Sequence, residues 1–282
     1  MDAEPADTGP GRGGPRPAAR GPESAVPAPR PAAVGTLTVL GCDGSYPGPG
    51  GAASGYLVER AGTTVWLDAG PGTFARLQLV KDPSTLDALV LSHEHPDHWT
   101  DFESFAVWRR QSGADRSIRV LAPPGLRSRS YFGRDRLLDW DEVEGGDRVE
   151  VGSLTLTFDR TDHGPTTLGV RCDPTDPTDP ADPAPDAALA YSADTGPTWS
   201  VEALGSGIGT FLCEATYTRD REGSFRHLSG RQAGAMAAAA GVARLVVTHR
   251  WPSVPSGVVA AEADDAFGRS VHQAAPGRVF EW

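Results

Sequence analysis

The chain has 282 residues, of which 39% are hydrophobic and 22% are charged, and its formal net charge is −11. This length allows one large domain or two small ones, and the composition is typical of a globular protein. No apolar stretch reaches the roughly 20 residues that a membrane-spanning helix needs. The negative charge argues against nucleic acid as the main partner, because nucleic-acid-binding proteins usually have a basic surface.

The start of the chain and its cysteines bear on where the protein works. Residues 1–34 are rich in Gly, Pro, Ala and Arg and lack the apolar segment of a signal peptide, so we predict a disordered tail. One domain is predicted over 35–282. Cys42, Cys172 and Cys213 are too few and too scattered for a disulfide framework or a cysteine zinc site. A cytoplasmic location is therefore predicted.

Residue types and periodicity predict the secondary structure in chain order. The runs predicted as strands are 35–40, 55–60, 64–67, 86–91, 118–121, 148–151, 154–158, 168–172, 188–191, 209–213 and 244–247, with a last short strand starting at Val271. The segments predicted as helices are 73–79, 97–110, 125–131, 228–240 and 258–267. Blocks of strands followed by helices indicate a layered α/β domain with mixed sheets.

Two connecting segments are unusual in composition. The loop 41–51 is dense in Gly and Pro. We interpret it as a turn, with a phosphate-binding loop as the alternative. The connector 173–186 is rich in Asp and Pro. Its prolines lack the backbone N–H donor and its aspartates repel one another, so no regular structure is predicted there.

Four side chains that can bind metals follow the strand at 86–91. His93, His95, Asp97 and His98 form the pattern His-x-His-x-Asp-His. Alternate side chains of an extended segment point the same way, so His93 and His95 can converge on one cation. Asp97 and His98 lie where the chain turns into a helix, which directs them to a second position nearby. Imidazoles with a carboxylate suit zinc, and also manganese or iron.

Three further candidate ligands, His163, Asp194 and His249, each follow a predicted strand. Rigid sheets hold functional loops at such junctions. Other interpretations exist, since His163 could hydrogen-bond a turn and Asp194 could cap a helix that begins near Pro197. Metal binding is preferred because the cluster at 93–98 needs more ligands to complete two sites.

The order and identity of these motifs, together with Asp68, resemble the metallo-β-lactamase superfamily and, within it, the ribonuclease Z-like phosphodiesterases. The resemblance implies an αββα sandwich, two mixed β-sheets flanked by helices, with two metal ions at the sheet edges. The implied ligands are His93, His95 and His163 for one metal, Asp97, His98 and His249 for the other, and Asp194 as a bridge. Asp68 would not bind a metal itself but would orient the residues that do.

A second pair of motifs resembles the same branch. Glu214 in Cys213-Glu214-Ala215 and His227 in His227-Leu228-Ser229 are similar to its paired Glu-Ala and His-Ser/Thr motifs. This implies that His227 donates a proton to the leaving oxygen and that Glu214 supports it, which suits an alkoxide leaving group. Asp97 is also assigned to catalysis. Alternatively, Glu214 is an ordinary carboxylate at a strand end and His227 an ordinary residue at a helix start.

The spacing between motifs bears on the substrate. Bacterial tRNA 3′-processing enzymes of this family carry a tRNA-gripping arm between the third-motif histidine and the bridging aspartate. Here only 30 residues separate His163 from Asp194, and the connector between them is acidic, which would repel RNA. Segments 38–42, 53–57 and 105–110 resemble instead the actinobacterial atypical class II cyclic nucleotide phosphodiesterases. That resemblance implies a small phosphodiester substrate, such as 3′,5′-cyclic AMP.

Three residues are candidates for substrate contact. Ser54 lies in one of the resembling segments, and Arg250 and Trp251 depart from the family pattern after His249. Arg250 could reach a phosphate and Trp251 could stack on a base, although surface or packing roles are equally open. A homodimer is a further expectation from the resemblance.

Other functions on the same fold remain as alternatives. They are a tRNA 3′-processing endonuclease, a β-lactam, thioester or lactone hydrolase, and a non-catalytic regulator. A regulator normally lacks some of the ligands, and none of them is missing from this sequence.

Overall fold

Two β-sheets form the framework of the computed structural model, which describes residues 34–175 and 188–282. Among these residues the strands of the first sheet are β1 (Thr36–Gly41), β2 (Gly55–Arg60), β3 (Thr63–Leu67), β4 (Ala88–Val90), β5 (Ile118–Ala122), β6 (Leu138–Glu142) and β14 (Val279–Glu281). Those of the second sheet are β7 (Arg148–Val151), β8 (Leu154–Arg160), β9 (Leu168–Pro174), β10 (Ala188–Tyr191), β11 (Ile208–Glu214), β12 (Arg244–Thr248) and β13 (His272–Gln273).

Both sheets are mixed. The first has the order β14-β1-β2-β3-β4-β5-β6, antiparallel from β14 to β3 and parallel from β3 to β6. The second has the order β13-β12-β11-β10-β9-β8-β7, parallel from β13 to β10 and antiparallel from β10 to β7. The carboxyl ends of β10, β11 and β12 therefore lie at one edge.

Helices cover the outer faces of the sheets. Within the described ranges they are α1 (Thr73–Val80), α2 (Pro96–Trp99), α3 (Asp101–Gln111), α4 (Leu126–Arg129), α5 (Gly230–Ala239) and α6 (Ser256–Phe267). None of the helices that the structure describes is long and apolar enough to cross a membrane.

The apolar core has three layers. The middle layer lies between the sheets and includes Val90 of the first sheet and Val170 of the second. One outer layer packs the first sheet against α1 and α3, where Trp66 meets Phe105 edge to face at 5.6 Å. The other packs the second sheet against α5 and α6. The predicted architecture of two mixed sheets flanked by helices is thus confirmed.

The helix predicted over 97–110 is instead two helices, α2 and α3, which meet at Thr100. The carbonyl of Asp97 accepts from the N–H of Ser54 (3.2 Å), and the N–H of Asp101 donates to the carbonyl of Ala69 (2.8 Å). These contacts replace the hydrogen bond that a continuous helix would form between Asp101 and Asp97. The break therefore comes from tertiary contacts.

Several other elements differ from prediction. Helix α4 is shorter than the predicted 125–131, and the edge strands β6 and β14 were not predicted at all. Each of these two strands has a single buried residue, so the apolar pattern that predicts a strand is weak there. The predicted tail, except Val34, and residues 176–186 of the connector lie outside the described residues, so those predictions stay untested. The prediction of no regular structure was wrong at Asp173 and Pro174, which extend β9 by pairing with β8.

Candidate metal centre

The seven predicted ligands meet at one edge of the sandwich because each follows the carboxyl end of a strand. Residues 93–98 follow β4, His163 follows β8, Asp194 follows β10 and His249 follows β12. Ligand sites commonly form beyond the carboxyl ends of strands in α/β sheets. The fold thus brings together side chains as distant in sequence as Asp97 and His249.

The first half-site consists of His93, His95 and His163. Nε2 of His163 lies 3.2 Å from Nδ1 of His95. Oδ2 of Asp194 lies 3.6 Å from Nε2 of His93 and 3.8 Å from Nε2 of His163. One ligand atom from each of these four residues lies within 4.8 Å of the others. Nitrogen and oxygen ligands about 2 Å from one zinc ion would be similarly close to each other.

The second half-site consists of Asp97, His98 and His249. Nε2 of His249 lies 3.1 Å from both Nε2 of His98 and Oδ2 of Asp97. Oδ1 of Asp194 lies 3.2 Å from Nε2 of each of these two histidines. Asp194 therefore presents one carboxylate oxygen to each half-site, as the bridging role requires.

Hydrogen bonds at Nδ1 fix which ring nitrogen is free. Nδ1 of His98 donates to Oδ2 of Asp68 (2.7 Å), and Nδ1 of His163 donates to the carbonyl of Arg226 (2.9 Å). With Nδ1 protonated, a neutral imidazole keeps a lone pair at Nε2. Such partners orient metal-binding histidines and increase their basicity. Both rings therefore direct Nε2, the nitrogen that would bind a metal ion, into the cluster.

Asp68 is fully buried and lies directly behind the cluster. Its carboxylate accepts from the backbone N–H and hydroxyl of Ser92 (2.7 and 2.8 Å) and from the hydroxyl of Tyr191 (2.8 Å), besides His98. These donors hold the carboxylate in one orientation. The carboxylate is thus positioned for the orienting role that the resemblance implies, and that role stays a prediction.

Backbone strain is concentrated at this edge of the sheets. Five non-glycine residues in the described ranges have positive φ, and four of them lie at the site: Ser45, Asp68, Ala193 and His249. Such conformations are uncommon for residues with a side chain and persist where the surroundings enforce them. At Asp68 and His249 the positive φ directs the side chain towards the cluster at the end of the strand.

Two glycines allow backbone segments to approach the ligands closely. A Cβ at Gly70 would lie 2.0 Å from the carbonyl oxygen of Asp97, and one at Gly44 would lie 2.3 Å from that of His249. No other residue fits without moving these carbonyls. The loop 41–51, interpreted from sequence as a turn or a phosphate-binding loop, thus supports a candidate ligand through Gly44.

The donor set fits divalent cations. Nε2 of His93 and Oδ1 of Asp194 are buried without a hydrogen bond, which is unusual for buried polar atoms. Burial, reinforced by the nearby His98, lowers the pKa of His93 well below its ordinary value and keeps the ring neutral. Burial alone would raise the pKa of Asp194, but His249 and His98 outweigh it and lower the pKa. A neutral imidazole beside an ionised carboxylate is the form that binds metals.

Glu214 and His227 form a buried pair next to the half-sites. Nδ1 of His227 donates to Oε1 of Glu214 at 2.9 Å and lies 3.9 Å from Oδ2 of Asp194. Burial by itself lowers the pKa of His227, but the charge of Glu214 and their hydrogen bond raise it to about 9. The side chain of His227 is 12% exposed. The imidazole of His227 therefore lies at the edge of the cluster and is partly open to solvent.

The three predicted substrate-contact residues lie in different surroundings. Ser54 is fully buried, and its backbone N–H supports Asp97. The guanidinium of Arg250 donates to the carbonyls of Trp251 and Val254 instead of facing the half-sites. Nε1 of Trp251 donates to the hydroxyl of Ser45 (2.8 Å).

Sequence reasoning missed four hydroxyl residues that hold the site together. They are Ser45, Ser92, Tyr191 and Thr216. Ser92 and Tyr191 each lie within three residues of a candidate ligand, which is the one sequence signal that could have indicated them.

The chain is similar to several known proteins. Residues 63–250 match the family model of the beta-lactamase superfamily domain. The protein Rv1339 of Mycobacterium tuberculosis is 35% identical over 260 residues, which cover 87% of this chain and 91% of that protein. Ribonuclease Z of Mycobacterium marinum is 29% identical over 256 residues, covering 78% of this chain and 88% of that one. The crystal structure of the metallo-beta-lactamase fold protein YhfI of Bacillus subtilis superimposes with a TM-score of 0.78 and 24% identity, covering 89% of this chain and 100% of that chain.

Proposed function

Because this chain belongs to the metallo-β-lactamase superfamily, a family of metal-dependent hydrolases, we propose that it hydrolyses a small phosphodiester, a 3′,5′-cyclic nucleotide such as cyclic AMP. We also propose that the enzyme uses two divalent cations per chain, with zinc as the first choice of metal. The proposal also places the enzyme in the cytoplasm, where the free thiols of its three cysteines would stay reduced.

The pair formed by His227 and Glu214 is the observation that supports a phosphodiester substrate. The oxygen that leaves a phosphodiester is an alkoxide, and its departure is slow unless a general acid protonates it. Glu214 raises the pKa of His227 to about 9 in the chain without bound ions, and it holds Nδ1 of the ring. Nε2 is therefore the atom that would donate the proton. A thiolate leaving group would not need this pair.

The two half-sites and Asp194 would hold the cations. When bound, the ions supply a nucleophilic water at neutral pH and offset the negative charge that builds on the phosphate. The carboxylate of Asp97 has a fixed orientation, because its Oδ2 accepts from the N–H of Ser45 at 2.7 Å and faces His249. In the proposed reaction this carboxylate orients the attacking water.

The interval between His163 and Asp194 supports a small substrate over RNA. Strands β9 and β10 take 7 and 4 of its 30 residues. A tRNA-gripping arm would have to come from the remainder, which is rich in Asp and Pro. Acidic residues repel a phosphate backbone, so this interval is poorly suited to holding RNA.

A tRNA 3′-processing endonuclease is the second candidate function. The similarity to the Mycobacterium marinum ribonuclease Z favours it, since the match covers 78% of this chain. The same acid pair and metal ligands would serve the cleavage of an RNA phosphodiester. The two functions differ in what holds the substrate, and therefore in which substrates are cleaved.

A direct comparison of substrates tests the proposal. The full chain, loaded with zinc or manganese, is assayed with cyclic AMP, a 2′,3′-cyclic nucleotide and a precursor tRNA. We expect cyclic AMP to be hydrolysed and the precursor tRNA to remain intact, with an Asp194→Asn variant as the inactive control. Cleavage of the tRNA alone would replace the proposal with the second candidate. Absence of cleavage of any phosphodiester would refute both.

A further inference from the structure

We propose that the exposed ring of Phe225, supported by Trp251, is the surface on which the base of a nucleotide substrate stacks. The inference rests on the proposed phosphodiesterase function and adds a determinant of specificity to it. It also moves the stacking role that the sequence suggested for Trp251 to a different residue.

Phe225 is fixed next to the first half-site by its neighbours in the chain. The carbonyl of Arg226 accepts the hydrogen bond from Nδ1 of His163 (2.9 Å), and His227 is the proposed acid. The hydroxyl of Tyr217 donates to the carbonyls of Phe225 (2.7 Å) and His227 (3.0 Å). The backbone at 225–227 is therefore tied down, although the Phe225 side chain is 60% exposed.

Trp251 connects Phe225 to the second half-site. Its ring centroid lies 6.0 Å from that of Phe225, and its Nε1 donates to Ser45, whose N–H donates to Asp97. The Trp251 ring also contacts Tyr217 at 5.8 Å, and the guanidinium of Arg221 lies 5.7 Å from it. Trp251 is thus half-buried beneath other side chains, and Phe225 is the ring that remains open to a ligand.

An exposed apolar ring beside a highly polar cluster suits a ligand with both an anionic and an aromatic part. A nucleotide has its phosphodiester one sugar away from a flat base, so phosphate and base can occupy the cluster and the Phe225 ring together. Stacking of a base on an aromatic side chain contributes to binding and tolerates different bases, because every base has a π-face. Phe225 has no polar atom to distinguish one base from another. Adenine and guanine nucleotides should therefore be used with similar efficiency.

The test compares cyclic AMP with a base-free analogue, methyl riboside 3′,5′-cyclic phosphate. For Phe225→Ala we expect kcat/KM on cyclic AMP to fall by roughly 5- to 150-fold, mainly through KM, as expected for the loss of one base stack. The base-free analogue should change by less than about 2-fold, because it has no base to lose contact with. Phe225→Trp should retain activity on cyclic AMP. Leu79→Ala, which removes another exposed apolar side chain (82% exposed), is the matched control.

Equal losses on the two substrates, or no loss on cyclic AMP, would overturn the inference. Binding of the slowly hydrolysed Rp-phosphorothioate analogue of cyclic AMP, measured by calorimetry, separates this failure from failure of the proposed function. If the analogue binds in a manner that depends on Phe225 but no nucleotide is hydrolysed, the proposed phosphodiesterase function is refuted and the stacking role of Phe225 is supported. Binding no tighter than that of the base-free analogue would refute the stacking surface.

Discussion

The hydroxyl of Thr216 lies 3.0 Å from Nδ1 of His249 and donates to Oε2 of Glu214 at 2.6 Å. Since its only proton goes to the carboxylate, the hydroxyl oxygen accepts from Nδ1 of His249. Nε2 of His249 is then the ring nitrogen left for a metal ion, and it faces Asp97 and Asp194. One buried hydroxyl therefore links the second half-site to the proposed acid pair.

Replacing Thr216 with Val should weaken both functions of this link. Val has a similar shape but leaves Nδ1 of His249 without its buried partner, a loss of about 1–3 kcal/mol. Oε2 of Glu214 loses one donor and keeps the N–H of Leu228 (3.1 Å). We expect metal affinity to fall by roughly 10- to 100-fold, as for other residues that orient ligands. Titration against a competing chelator measures this. Thr216→Ser keeps the hydroxyl and should bind metal nearly as the wild type does; a Val variant with unchanged affinity would contradict the argument.

Removal of the His227 imidazole should affect substrates according to their leaving groups. We expect His227→Asn to keep its metals and to lose about 10²- to 10⁴-fold in turnover of cyclic AMP, the usual contribution of a general acid. Bis-p-nitrophenyl phosphate loses a stable phenolate that needs little protonation, so its hydrolysis should suffer much less. Elemental analysis verifies the metal content. The same loss on both substrates would remove His227 from the acid role.

Metal removal should lower stability as well as activity. The cluster places two carboxylates among five histidine rings, four of which are buried. Ions that bind only the folded chain stabilise it by about 2.7 kcal/mol at 100 times their Kd. For a domain of this size that corresponds to a rise in Tm of very roughly 5–10 °C. Calorimetry before and after chelation measures the shift. Elemental analysis should find about two divalent ions per chain, whereas Asp194→Asn should retain fewer.

The cysteine thiols should be unreactive in the folded protein. Burial, with Asp43 nearby, raises the pKa of Cys42 to about 12, and burial also raises the pKa values of Cys172 and Cys213. A thiol whose pKa is raised by folding stabilises the fold fully below its unfolded pKa, about 8.5, and this contribution is lost as the pH rises towards 12. A thiol reagent at pH 8 should label no cysteine natively and all three after unfolding. Cys42 is only partly buried, so its rapid labelling in the native protein would contradict the raised pKa of its thiol.

A methyl group at Gly70 should disturb the second half-site through the backbone. The added Cβ would lie 2.0 Å from the carbonyl oxygen of Asp97, which cannot move without breaking its hydrogen bond to Ser54. We expect Gly70→Ala to destabilise the fold by about 1–3 kcal/mol and to weaken metal binding. Denaturant unfolding measures the first effect. Gly257→Ala, where nothing lies within 4 Å, is the control and should be neutral or stabilising in helix α6.

Much of the candidate site could be predicted because chelating residues occur close together or at recognisable strand ends. His93, His95, Asp97 and His98 share one turn of chain, and Asp194 and His249 end apolar runs that predict buried strands. The order of such motifs was enough to indicate the fold class. The break between α2 and α3 could not be predicted in this way, because the carbonyl of Ala69, far from it in sequence, takes the N–H of Asp101.

The sequence by itself determined which residues could bind metals, since ligand chemistry belongs to each side chain and its spacing to the local chain. Only the tertiary structure decided which atoms face inward. Nδ1 of His98 donates to Asp68 and Nδ1 of His249 donates to Thr216, which leaves Nε2 of both rings facing the cluster. The contacts of Trp251 leave Phe225 as the more exposed of the two rings. The hydrogen-bond partners of the His98 and His249 rings lie 30 and 33 residues away in the sequence, and local sequence patterns do not encode contacts over such distances.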